Sequence, residues 1–205
     1  MFHISTIIIS VNQTVSIWMC VKPSKRYKAC RFSASFFISN RNMRKINNPW
    51  KRYTEFRCFG CSASNEDGLQ MEFKEGDNGE IICRWEPQSK FAGWPGVIHG
   101  GIQCTLMDEV AAWVVHHDLK VAGVTSKLDT KFIKPVHSTD PYLTIKGKMK
   151  KTAHNLAWVE CWIENMAGER CAEATALYFT YSKEESISNF YYSDMTVEED
   201  TDNKE

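Results

Sequence analysis

"GVIHGGIQCTLMDEVAAW", residues 96–113, decides the fold. From Gly101 to about His117 apolar side chains occupy most sides of a helix instead of a single stripe, which marks a helix buried on nearly every face. Two adjacent carboxylates, Asp108 and Glu109, interrupt it. Ionised carboxylates are costly to bury, so they need either partners or a cleft. The helix begins at His99-Gly100-Gly101, where the first N–H groups have no intrahelical acceptor and the helix dipole adds partial positive charge. Glycines there let a ligand approach the backbone, so the start of the helix suits a carbonyl or oxyanion. A tight turn into the helix is the plainer alternative.

Around this helix the sequence alternates. "GLQMEF" (68–73) and "GEIICRW" (79–85) flank the turn residues of "KEGDNG" and predict a hairpin. Four further alternating runs follow the helix, at 123–135, 142–152, 155–166 and 170–182, separated by Pro, Gly, Asn or Asp. The order strand, strand, helix, four strands predicts an α+β domain in which an antiparallel sheet of about six strands wraps around one long central helix.

The 205 residues suffice for one well-filled core with tails. The formal charge of zero is unevenly distributed: residues 1–54 hold ten Lys or Arg and no acid, leaving 15 basic and 25 acidic residues in the rest. So acidic a globular part does not fit phosphate-backbone binding, and no nucleic-acid partner is expected. Residues 1–46 read as an N-terminal extension: a leader read beyond the native start at Met43, a transit peptide, or a weak membrane anchor with Asn12 and Gln13 inside its apolar run. Cytoplasmic location is expected, or mitochondrial if residues 1–42 are a transit peptide; no membrane partner is expected. Residues 47–182 form the predicted domain. The stretch 183–205, with eight acids and two bases, predicts a mobile acidic tail.

Asp108 lies eight residues beyond Gly100, about 12 Å along a helix axis, so one chain cannot bring both to one reacting carbonyl. Two chains with antiparallel helices can, and a C2 dimer forms two such sites at once.

"HGGIQCTLMDE" resembles the helix motif of hotdog-fold thioesterases of the PaaI type. "CFGCSASNEDGLQMEF" (58–73) and "GVTSKLDTKFIKP" (123–135) are similar to segments on either side of it in that family. The likeness spans about residues 47–182. It implies hydrolysis of an acyl-CoA or acyl-carrier thioester by a homodimer or homotetramer. Asp108 would be the catalytic base or nucleophile, Gly100 the backbone donor to the thioester oxygen, and Thr125 a hydroxyl that helps place the carboxylate or its water. His99, Gly101 and Glu109 are assigned to substrate binding, with Glu109 a rival to Asp108 whose register favours Asp108. An acyl-thioester-binding module of the same fold is the alternative. A dehydratase, hinted at by "WPGV", lacks the matching His and carboxylate pattern. Gly93 stands where some relatives carry an amide, which puts a second polar contact to substrate in doubt.

Nothing further demands a cofactor. There is no G-x-S-x-G elbow and no phosphate-binding glycine loop. Cys58 and Cys61 form one C-x-x-C without a second pair at ligand spacing, so packing or a redox role is expected ahead of metal, and no metal is assigned. The alternating lysines from Lys127 to Lys151 predict a solvated strand face or a contact to coenzyme A phosphates.

Overall fold

A computed structural model describes residues 6–11, 14–19 and 43–197. Within residues 1–40, strands β1 (Thr6–Val11) and β2 (Thr14–Met19) pair antiparallel as a unit of their own. The readings of residues 1–42 as a leader, transit peptide or anchor otherwise lie outside the described residues. No described helix is long and apolar enough to cross a membrane.

In the second unit, short strands β3 (Arg44–Lys45) and β4 (Lys74–Glu75) precede β5 (Ile81–Trp85), and β6 (Ala92–Trp94) pairs with β7 (Val97–Ile98) just before helix α1 (Gly100–Leu119). Four long strands follow, β8 (Gly123–Phe132), β9 (Leu143–Ala153), β10 (Leu156–Glu164) and β11 (Arg170–Thr180), then helix α2 (Lys183–Phe190). The main sheet is antiparallel in the order β3-β4-β5-β9-β10-β11-β8, and α1 packs against β5, β8, β9, β10 and β11.

The alternation explains this packing. Leu143, Ile145 and Gly147 of β9, Ala157, Val159, Cys161 and Ile163 of β10, and Ala174, Ala176 and Tyr178 of β11 are buried on the face toward α1. Opposite them, α1 buries Leu106, Met107, Val110, Ala111, Trp113, Val114 and Val115. A Cβ on Gly147 would sit 3.0 Å from Val114 and 3.4 Å from Val110, so its absence sets how closely the helix approaches the sheet. Trp113 stacks on Phe73 with ring centroids 4.4 Å apart. On the outer face, Lys146 pairs with Glu164 at 2.8 Å and Lys150 with Glu160 at 2.6 Å, as in a solvated strand face.

Two expectations need correction. Residues 68–73 are not a strand: Leu69 and Met71 donate their N–H groups to the carbonyls of Phe59 and Gly60, so this run is tied to the Cys58–Cys61 loop, and sheet pairing begins only at Lys74. The second concerns 183–205. Ser182 and Glu185 form a capping box that starts α2, Tyr192 and Met195 are buried, and Val197 bridges Ile46. Residues 183–197 are thus packed on the domain, and Arg44–Ile46, placed by sequence in the extension, belong to it as well.

Candidate active site

Asp108 lies midway along α1. Thr125 Oγ1 donates to Asp108 Oδ1 at 2.8 Å, and the Tyr178 hydroxyl lies 2.7 Å from the same oxygen and 2.8 Å from the Asp108 carbonyl, sharing one proton between them. Among the described residues no donor reaches Oδ2, so one carboxylate oxygen is anchored and the other is open to chemistry.

Local backbone brings these hydroxyls together. Tyr178 and Thr125 are opposite one another on β11 and β8, but Leu177 faces Lys127, so Ser126 is an extra residue in β8. A bulge of this kind re-aims neighbouring side chains, and here Thr125 points at the helix carboxylate. Thr125 was expected from the resemblance; Tyr178 was not. Its signal was the alternation Ala172, Ala174, Ala176, Tyr178 on one face of a strand, in which one large polar residue ends a row of small ones. Burial and the Asp108 charge push the Tyr178 phenol well above the usual tyrosine range, so it remains a donor.

At the helix start, His99 is the N-cap, and its Nδ1 accepts the Gly101 N–H at 2.9 Å. That bond requires the neutral tautomer with its proton on Nε2. Gly101 N–H is therefore engaged, which removes Gly101 as a carbonyl donor. No described residue accepts the Gly100 N–H. A groove of about 730 Å³ opens beside it, bordered by Trp94, His99, Gln103, Phe132 and Lys134. Gln103 is buried and donates to the Ile98 carbonyl at 2.9 Å, while its Oε1 has no partner. An unused donor and an unused acceptor thus border the same groove.

Glu109 goes elsewhere. Its carboxyl end turns toward the 58–61 loop, with Cys58 Sγ 3.7 Å from both oxygens and Trp113 Nε1 donating to Oε1 at 3.2 Å. Burial raises its pKa to about 7, with the Cys58 charge adding to the rise. Hydrogen bonding from Cys61 and from the Cys58–Cys61 loop backbone lowers Cys58 to about 6, whereas the Cys58 contact and burial push Cys61 up. The structure therefore separates the two helix carboxylates into two environments, and Glu109 does not join Asp108.

Comparison with known proteins agrees with this fold. Residues 95–172 match the thioesterase superfamily. An uncharacterized protein of Schizosaccharomyces pombe is 27% identical over 107 residues, 50% of this chain; the chain spans only 61% of that relative's length. Among solved structures, a Bacillus halodurans protein determined with CoA shares 25% identity at a TM-score of 0.50, covering 56% of this chain and 76% of that one. A Streptococcus mutans protein bound to acetyl-CoA shares 22% at 0.53, covering 64% and 98%. Zebrafish thioesterase superfamily member 2 shares 17% at 0.51, covering 58% and 88%. The fold is the hotdog, shared with these thioesterase-superfamily structures. Nothing in these matches singles out the PaaI branch.

Proposed function

We propose that this protein hydrolyses an acyl-CoA or acyl-carrier thioester as a dimer. The observation that carries the reading is a carboxylate anchored through Oδ1 on a mid-helix position while Oδ2 stays free, together with an unpartnered Gly100 N–H at the start of the same helix. The CoA-containing structures of relatives support the choice of carrier.

Gly100 N–H donates to the thioester oxygen as negative charge grows there, an interaction worth about 10²–10³ in rate for donors of this kind. Asp108 Oδ2 either takes a proton from the attacking water or attacks the carbonyl carbon itself, expelling the thiolate to leave an acyl anhydride that water then hydrolyses to free acid and the restored carboxylate. In the first case the tetrahedral intermediate collapses, the C–S bond breaks, and the proton on Asp108 passes to the leaving thiolate. Free acid and thiol result, without a cofactor in the balance.

Both groups serve one site only if they come from two chains, because about 12 Å of helix separates them. The sheet ends at β8, whose outer edge has no partner among the described residues, and Val124, Phe132 and Ile133 are exposed along it. A long unpaired edge with apolar side chains is a template for another strand. A second copy would pair there and bring Asp108 of one protomer to Gly100 of its partner.

The test is release of free thiol from short, long and aromatic acyl-CoAs, with Asp108→Asn beside the wild type. Turnover should fall by at least about 10²-fold, the usual contribution of a positioned base. Near-normal turnover in the variant would refute the assignment. A folded wild-type dimer that binds acyl-CoA and releases no thiol would make the protein a binding module.

A further inference from the structure

A second cluster of chemistry-bearing side chains lies away from Asp108. Cys58 Sγ, Cys61 Sγ and a Glu109 carboxylate oxygen all fall within 4.8 Å of one another. Cys58 and Glu109 are 51 residues apart in sequence, so loop and helix are brought together by the fold and not by local spacing. The approach depends on Gly60: a Cβ there would stand 2.2 Å from Glu109 Oε2.

Two of the potential ligand atoms in this cluster receive an N–H group. Asn48 Nδ2 donates to Cys61 Sγ at 3.7 Å, and Trp113 Nε1 donates to Glu109 Oε1 at 3.2 Å. Outer hydrogen bonds of this type orient metal ligands. Among the described residues no ion pair supplies Glu109 with a cation. Spacing is also suitable. Tetrahedral zinc, with Zn–S of about 2.3 Å and Zn–O of about 2.0 Å, sets its sulfur and oxygen ligands about 3.5 Å apart. Cys58 Sγ lies 3.7 Å from each Glu109 oxygen.

We propose that Cys58, Cys61 and Glu109 form a binding site for a thiophilic divalent cation, Zn²⁺. The two thiolates and the carboxylate occupy three tetrahedral positions, and water reaches the fourth past the partly exposed Cys58. The ion ties the 58–61 loop to α1. It lies on a different face of the helix from the Asp108 oxygens held by Thr125 and Tyr178, so its role is structural. The proposal stands apart from the acyl chemistry and is read by metal content, not by turnover.

The experiment uses the full chain, purified with reductant, incubated with Zn²⁺, passed through gel filtration and assayed for metal by plasma mass spectrometry. About one zinc per chain is expected. Replacing zinc by Co²⁺ should give a thiolate-to-cobalt charge-transfer band. Cys58→Ser, Cys61→Ser and Glu109→Gln should each weaken zinc affinity at least tenfold with unchanged circular dichroism, while Cys104→Ser should retain the metal. Folded, reduced wild type that leaves the column without zinc would overturn the site, as would a Cys58→Ser/Cys61→Ser double variant that keeps it. A Cys58–Cys61 disulfide in fresh protein that takes up no zinc after reduction would assign the pair to dithiol chemistry instead.

Discussion

Tyr178 and Thr125 hold one oxygen of Asp108, and their effects should separate. Tyr178→Phe keeps the buried ring and removes a single hydroxyl, leaving Oδ1 with Thr125 alone. A lost hydrogen bond to a charged group corresponds to about 1.5–3 kcal/mol, so kcat should fall roughly ten- to a hundredfold with KM little changed. Steady-state kinetics on the substrate found to be turned over best checks this; a change confined to KM would mean that the tyrosine contacts substrate. The neighbouring carboxylate behaves differently. With its pKa raised to about 7, Glu109 binds a proton in the folded chain that it has already lost in the unfolded one, so the folded state holds more protons between about 4.5 and 7. Its contribution is complete below the unfolded value and is lost as pH rises through about 7. In chelator, urea midpoints of wild type should therefore decline relative to Glu109→Gln from pH 5 to pH 8. Cys58, lowered to about 6, acts in the opposite sense toward alkaline pH, and the Gln comparison removes only the carboxylate's share.

At the level of elements, composition was a poor guide where a few residues decide. The segment after Lys183 is acidic enough to resemble a loose tail, yet Ser182 and Glu185 cap a helix in it, and Ser186 Oγ accepts the Ala122 N–H at 2.9 Å while donating to the Ser182 carbonyl at 2.7 Å. Ser186→Ala leaves a buried N–H unsatisfied and should destabilise by about 1–3 kcal/mol, measurable as a lower urea midpoint. An unchanged midpoint would mean that this strap contributes little. Helix α1 and strands β8 to β11 were legible because period and punctuation agree over long stretches. Residues 68–73 alternate equally well, but long-range bonds to Phe59 and Gly60 claim their N–H groups, and no local pattern records that. The same limit applied to the sites. Asp108, Gly100 and Thr125 were visible through one motif and a resemblance, whereas Tyr178 entered through a bulge at Ser126 and a strand pairing that only the fold supplies.

For the whole molecule the question is how many chains make one site. Gly100→Pro deletes the proposed donor with little harm to the helix, since proline is favoured at a first helical position and His99, at φ −57° and ψ 137°, already has the extended backbone that precedes proline. Asp108→Asn deletes the base at the other station. Each variant alone should be folded, dimeric and nearly inactive. Unfolded and refolded together in equal amounts, they should form heterodimers in which one site carries both lesions and the other carries neither. Random pairing makes about half of the dimers mixed, each with one of its two sites intact, so thiol release should return to about a quarter of the wild-type rate. No recovery from a mixture shown to contain the heterodimer would contradict a site built from Asp108 of one protomer and Gly100 of its partner.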